Sequence, residues 1–587
     1  MKFRIHTVAL ILTTLGLAAC AGAEDTSPVD GRDEVAVVGG KADNFFGACG
    51  GEKLLDLLND ARIGIADLKE AGVHTRAAQN VVLRRNGPDQ VAGTPDDVVF
   101  ESLEDVDAVP YVGPVAMNQL AGWATTLCVA PEPGRAEVIF SPQPYGESHL
   151  ARVAELIEGA QRSVDIAMYS FSDGEIMDAI EDAVARGVDV RMVFEPAREE
   201  ARDPDGTRSD ELERAGVDVR YINKIMHHKF AIIDGPREVL SVDAPTDGIL
   251  VSGSGNWSYS AGTRYDENTV ITFGSEELNL RFQREFNHMW RHSRDFDNGA
   301  SLPFYETDTI DEAMIVDDPS VDAVFTSANF KTYVSSRYGE TFSVIRGRNE
   351  VADTVVEHIE RATTSIWIAS GHLRSRPISE ALLRAHEANP DLDIRVYLDG
   401  QEYVSEYTNE LEKRGTQECL VEAGDSESRW QDCLDKDYHY SFDVDRAGID
   451  LRFKYYAYRW HYTYAEQMHH KYMIIDGARV LSGSYNYSDN AEHNTLENMV
   501  VYEDAGFPGI VRQFEENFLR MWDTGRDLYD GLVNEIASSD RIDLVFEPMA
   551  LTWSQVRELK QTISASCPEA NSYEFRREPE RHQVCYR

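Results

Sequence analysis

His227-His228-Lys229-Phe230-Ala231-Ile232-Ile233-Asp234 returns later in the chain as His469-His470-Lys471-Tyr472-Met473-Ile474-Ile475-Asp476. In each copy a short apolar run follows the lysine, the pattern of a buried strand, and on a strand residues i and i+2 share a face. His227 and Lys229 therefore project together, as do His469 and Lys471. Each copy is followed by Gly-Ser-x-Asn, Gly253-Ser254-Gly255-Asn256 and Gly483-Ser484-Tyr485-Asn486, and then by an acid-amide pair, Glu267-Asn268 and Glu497-Asn498. Polar residues that recur in this fixed order predict one active site with two-fold character.

Two imidazoles and two ammoniums suit a phosphodiester. One histidine attacks phosphorus, the other protonates the leaving oxygen, and the lysines hold the non-bridging oxygens. Asn256 and Asn486 add amide donors for the same oxygens, with Ser254 and Ser484 nearby. This set calls for no cofactor and no metal. Asp234 and Asp476 stand beyond the strand and before a glycine, so they read as turn residues that fix local geometry. His228 and His470 alternate to the opposite face and read as packing residues. A lone His-x-Lys carries no information; two copies sharing three further motifs do.

The set resembles the phospholipase D superfamily. The resemblance implies two α/β/α domains packed about a pseudo-two-fold, an α/β fold, and a phosphodiester hydrolase. It also implies that His227 forms a phosphohistidine while His469 acts as the acid. Glu267 and Glu497 then orient the imidazoles, within or across the halves. The repeat extends beyond the motif. Val138 to Pro142 matches Ala323 to Ser327, and Ser163 to Ala167 matches Ser365 to Ala369. Phe282, Phe286, Met289, Trp290, Arg294 and Asp295 recur 232 residues on as Phe514, Phe518, Met521, Trp522, Arg526 and Asp527. The apolar members fall at helical spacing and predict a buried stripe. Two halves of one plan, strand alternating with helix, place the motifs at their interface.

These patterns divide the chain into a signal (1–20), a polar linker (21–48), a helical module (49–130), two repeated domains (136–300 and 322–530) and a C-terminal extension (531–587). The copies differ in their inserts. A segment from Ser241 to Gly248 reads as a hairpin excursion, and a longer one from about Gly400 to Tyr462 is expected to wall the cleft and choose the substrate.

Lys2 and Arg4 precede an apolar run, Val8 to Leu17, too short to span a bilayer, as in a secretory signal. Leu17-Ala18-Ala19-Cys20 resembles the lipobox of bacterial lipoproteins, which implies lipidation of Cys20 and anchoring to the cell envelope, the outer membrane by analogy. Of seven cysteines, the remaining six fall in three local sets: Cys49 with Cys128, Cys419 with Cys433, and Cys567 with Cys585. That is the simplest of fifteen connectivities. In the helical module, Gly72-Val73-His74 and Tyr111-Val112-Gly113-Pro114 resemble paired helix-hairpin-helix motifs of competence-type DNA receptors, each short of one glycine.

The chain has 587 residues, 57 basic against 102 acidic, for a net charge of -45. Such a surface repels polyanions at long range. The anchor and the acidic surface favour a phospholipid substrate; the hairpin resemblance favours nucleic acid and a nuclease. A non-catalytic envelope binding protein is the alternative from a different class. With both motifs in one chain, a monomer is expected to suffice.

Overall fold

The computed structural model describes residues 54–126 and 134–565, apart from short internal stretches, chiefly 238–247, 297–309, 311–314, 457–465 and 539–546. The expectations for the signal, the linker and Cys20, for Cys49, Cys128, Cys567 and Cys585, and for residues 241–247 lie outside the described residues. The chain separates into two units, 1–130 and 131–587.

In the first unit two helix pairs, Ile65–Glu70 with Thr75–Arg85 and Leu103–Asp107 with Pro114–Thr126, enclose a core containing Leu68, Val81, Val112 and Leu120. The turns between paired helices need positive φ. Gly72 takes +87° without strain, whereas the matching turn of the second pair puts Tyr111 at +72°.

The second unit is built on two eight-stranded sheets. The first contains β1 (Arg135–Ser141), β2 (Ser163–Met168), β3 (Asp189–Phe194), β4 (Asp218–Tyr221), β6 (Lys229–Ile233), β7 (Ile249–Gly253), β8 (Glu267–Phe273) and β9 (Arg294–Asp295), in the order β1-β8-β7-β6-β2-β3-β4-β9. A two-residue strand, β5 (Ile225–Met226), precedes the first motif. The second sheet contains β10 (Val321–Phe325), β13 (Ser365–Ser370), β14 (Asp393–Asp399), β15 (Asp450–Tyr455), β16 (Lys471–Ile475), β17 (Arg479–Gly483), β19 (Asn498–Glu503) and β20 (Met549–Leu551), in the order β10-β19-β17-β16-β13-β14-β15-β20. The hairpin β11 (Phe330–Ser335) and β12 (Gly339–Val344) stands beside it, and β18 (Thr495–Leu496) pairs with β5. The two orders match position for position. In each sheet a parallel trio, β2-β3-β4 or β13-β14-β15, is joined to an antiparallel set through the motif strand.

Strand alternation distributes the apolar residues. Phe230 and Ile232 face a core shared by both halves, with Tyr472, Ile474, Val270 and Val500, while Ala231 and Ile233 face the outer core of the first half. The predicted helical stripes fill the shared core. Helices Glu276–Arg291 and Ile510–Trp522 place Phe282, Phe286, Phe514 and Phe518 there, all fully buried. Each such ring stabilises the interface between halves by about 1.5–3 kcal/mol.

Two features depart from the repeat. Arg294-Asp295 forms a strand, but the matching Arg526-Asp527 opens a helix, Arg526–Ser538. The stretch read as a C-terminal extension carries β20, the edge strand of the second sheet, antiparallel to β15. The long insert folds as helices Glu406–Ala423, Glu427–Leu434 and Ser441–Ala447, the first two tied by the expected Cys419–Cys433 disulfide. Among the described residues no helix is long and apolar enough to cross a membrane.

Candidate active site

The pairing of strands across the two halves assembles the site. β5 runs parallel to β18, and the His227 amide donates to the Leu496 carbonyl at 3.0 Å, so the residue after Leu496, Glu497, arrives beside His227. The reciprocal set places the His469 amide 3.0 Å from the Asp266 carbonyl, and Glu267 arrives beside His469. His227 Nδ1 lies 2.8 Å from Glu497 Oε1, and His469 Nδ1 lies 2.7 Å from Glu267 Oε1. Each glutamate therefore serves the histidine of the other half, which settles the alternative that the sequence leaves open.

A carboxylate only accepts, so the hydrogen bond to Glu267 puts a proton on His469 Nδ1 and leaves Nε2 for chemistry. His227 Nδ1 makes the matching close contact with Glu497 without hydrogen-bond geometry. Burial, together with Lys229, Lys471 and His469, holds His227 well below the usual imidazole range. Burial, Lys471 and Lys229 do the same to His469. Burial pushes Lys229 down to about 7 and Lys471 down to about 8. It pushes Glu267 and Glu497 up to about 7, against the pull of the lysines. Lys229 Nζ donates to the His227 carbonyl at 2.7 Å and Lys471 Nζ to the His469 carbonyl at 2.8 Å. Two lysines stripped of water, sharing Glu267 and Glu497 between them, would gain from an added anion.

The remaining motif residues hold this frame. The hydroxyls of Ser254 and Ser484 accept from the Asn268 and Asn498 amides at 2.9 and 3.0 Å. The preceding glycines allow the close approach: a Cβ on Gly253 would stand 2.3 Å from the Asn268 carbonyl oxygen, and one on Gly483 2.2 Å from that of Asn498. Asn256 and Asn486 are half-buried, and Asn256 Oδ1 has no hydrogen-bond partner among the described residues. Asp234 and Asp476 sit at φ +52° and +55°. Asp234 accepts from the amides of Gln161, Arg162 and Ser163, and Asp476 from those of Thr363, Thr364 and Ser365, so both fasten the motif strand to the start of its neighbour. His228 and His470 are buried on the opposite face, yet each is hydrogen-bonded across the halves, His228 to Asn498 and His470 to Asn268.

Several residues at the site escape the motif. Glu195 and Asp399, each just past or ending the third strand of its half, accept from the amides of Met226 and Met468 at 2.7 and 2.9 Å and fix the backbone ahead of each histidine. An acid at equivalent strand ends is a repeat signal that the motif alignment passes over. The Tyr169 ring meets His227 edge-on at 4.4 Å. At the matching place stands Gly371, where a Cβ would lie 3.0 Å from the Met468 carbonyl oxygen. The His469 side chain is accordingly more open, 21% exposed against 11% for His227.

The family model described as cardiolipin synthase, PLD-like domain, matches residues 153–290 and 355–522, more than half of the chain. The mitochondrial cardiolipin hydrolase of Drosophila melanogaster is 33% identical over 153 residues, 24% of this chain and 59% of that protein. The human protein of the same name is 32% identical over 149 residues, 25% of this chain and 53% of that protein. The chain thus spans less than two thirds of the length of either relative. Among solved structures, the phospholipase D family member Nuc of Salmonella typhimurium covers 28% of this chain and 97% of its own, at 25% identity and a TM-score of 0.23. The phosphatidylserine synthase of Haemophilus influenzae covers 67% and 89%, at 11% identity and a TM-score of 0.42. With the repeated His-x-Lys pairs gathered in one cleft and both halves matched by a single family model, the chain belongs to the phospholipase D superfamily.

Proposed function

We propose that this protein hydrolyses phosphodiester bonds of phospholipids through a phosphohistidine. The observation that carries the reading is the pair of reciprocal contacts, His227 with Glu497 and His469 with Glu267, beside two buried lysines. His227 Nε2 attacks phosphorus as the bond to the leaving oxygen breaks, and that oxygen takes the proton from His469 Nε2. Water then gives a proton to His469 and attacks the same phosphorus, releasing a phosphomonoester and free His227. Lys229, Lys471 and the amides of Asn256 and Asn486 hold the non-bridging oxygens in both steps.

The acidic surface favours a lipid over a polyanion, and an envelope anchor at Cys20 would bring the cleft to its substrate. The resemblance of the first unit to helix-hairpin-helix pairs supports the second reading, a nuclease. Assay of the purified protein on vesicles of phosphatidylcholine, phosphatidylethanolamine or cardiolipin, and on single- and double-stranded DNA, separates them. Turnover of lipid but not DNA is expected; the reverse would favour the nuclease, and turnover of none would favour a binding protein. A clickable fatty acid is expected to label the wild type and not Cys20→Ser; equal labelling would rule the anchor out.

A further inference from the structure

The two-fold plan gives His227 and His469 one carboxylate and two lysines each, while Tyr169 packs on His227 alone and His372 acts on His469 alone. A further difference, one of charge, lies one layer deeper, in the shared core. His470 Nδ1 is 3.1 Å from Asn268 Oδ1, and its Nε2 is 3.2 Å from Asn517 Nδ2. A carbonyl oxygen only accepts and an amide nitrogen only donates, so this ring carries its proton on Nδ1 and is neutral. In the first half the position of Asn517, 232 residues earlier, is occupied by Glu285. Glu285 Oε1 is 3.2 Å from His228 Nε2, while His228 Nδ1 is 2.9 Å from Asn498 Nδ2. A carboxylate requires the proton on Nε2, so the two buried histidines are held in opposite ways.

All six residues are buried, so the charge that distinguishes the two sets is weakly screened. Glu285 also accepts from the Ser327 hydroxyl at 2.5 Å and faces His288 on its own helix. Its far side borders a cavity of about 670 Å³ that Arg281, Arg284 and Arg348 also line. Burial works against its charge, but His228, then His288 and Ser327, hold its carboxyl below the usual range. The His228 ring otherwise meets Phe230 and Phe325. His470 meets Phe140 and Tyr472; among charged groups Arg520, which donates to Asn517 Oδ1 at 2.8 Å, acts on it most strongly, followed by Lys471, Lys454 and His469. Asn498 is bonded to Glu497, and Asn268 to Glu267, so each buried set stands directly behind one catalytic pair.

We propose that Glu285, acting through His228 and Asn498, is the positioning residue that makes the two catalytic histidines unequal, and that Asn517 is its neutral counterpart. The proposal rests on the covalent reading above. The Glu285 carboxylate behind the His227–Glu497 pair and the Arg520 guanidinium behind the His469–Glu267 pair act in the same sense, the anion raising the basicity of His227 and the cation lowering that of His469. The inference therefore exchanges the two roles written above, with His227 keeping the proton and donating and His469 attacking. A unit charge in such surroundings alters a protonation equilibrium by about tenfold, enough to commit the roles.

The test is the position of the phosphoryl group after a base quench during turnover of bis(4-nitrophenyl) phosphate, read by peptide mass spectrometry and alongside the pH-rate profile. Wild type is expected to carry the label on His469, and label on His227 alone would overturn the proposal. Glu285→Gln is expected to divide it between His227 and His469 and to move one limb of the profile, with an unchanged circular dichroism spectrum. Asn517→Asp, which places a carboxylate behind His470 and leaves Glu285 intact, is expected to redistribute the label as well, so a poorly folded Gln variant leaves the question decidable. Label on the same single histidine in both variants, with both limbs unmoved, would overturn the proposal and leave covalent catalysis standing. Label on neither histidine in wild type would overturn both.

Discussion

Lys229 and Lys471 are the groups whose charge depends most on what occupies the cleft. Burial brings them down to about 7 and about 8, and a bound phosphodiester would restore the counter-charge and raise both again. The ligand therefore binds the protonated form, so affinity is greatest below about 7 and falls as the pH rises through 7 and 8. Dimethyl phosphate, a monoanion throughout this range, is expected to lose inhibitory potency by about tenfold per pH unit between 7 and 8 and by up to about a hundredfold per unit above 8, where both lysines must take up a proton. An inhibition constant that is flat from pH 6 to 9 would contradict the assignment. Because lysines supply the charge, hydrolysis is also expected to survive excess EDTA; complete loss, restored by a divalent ion, would count against the two-histidine chemistry. At this scale most of the site is legible in sequence, since strand parity puts His227 with Lys229 and sends His228 the other way. The hydrogen bonds of His228 and His470 were not legible, because their partners come from the opposite half.

Among the elements, the turn after each motif strand has the clearest physical origin. Asp476 stands at positive φ and accepts three amides from the start of β13. Burial is the largest single influence and raises its pKa, but the amides of Thr364, Ser365 and Thr363 together outweigh it, leaving about 2. A depressed carboxyl contributes stability that is complete above the unfolded value near 4 and is lost as the pH falls from about 4 to about 2. Asp476→Asn keeps a residue that tolerates positive φ and is expected to cost about 1–3 kcal/mol at neutral pH. The gap in melting temperature between variant and wild type is expected to close toward pH 2; a gap that widens would refute this. In the first unit, Tyr111 at positive φ holds strain of about 1–2 kcal/mol, against which the contact of Arg76 with its ring offers about 0.5 kcal/mol. Tyr111→Gly is expected to slow amide exchange in helix Pro114–Thr126 of the full chain; faster exchange would show that the ring contact dominates. The missing glycine is visible in sequence, but the conformation its replacement is forced to adopt is not.

For the second unit as a whole, the candidate site is assembled from residues that the two halves exchange. The repeat in sequence foretells two similar halves and the stripe of Phe282, Phe286, Phe514 and Phe518 between them. It does not foretell that Glu497 crosses to His227 and Glu267 to His469, because register within a half is set locally whereas the crossing depends on which strand ends meet, β5 on β18. Nor does it foretell β20, whose three residues carry too short a pattern to read as a strand. This crossed site is proposed to work by two successive displacements on one phosphorus. The direct measurement is the configuration at phosphorus after hydrolysis of a chiral nitrophenyl phosphorothioate diester in isotopically labelled water. Each in-line displacement inverts, so attack by one histidine followed by attack by water predicts overall retention. Inversion would contradict the account, since it would mean that water attacks directly and that neither histidine ever holds the phosphoryl group.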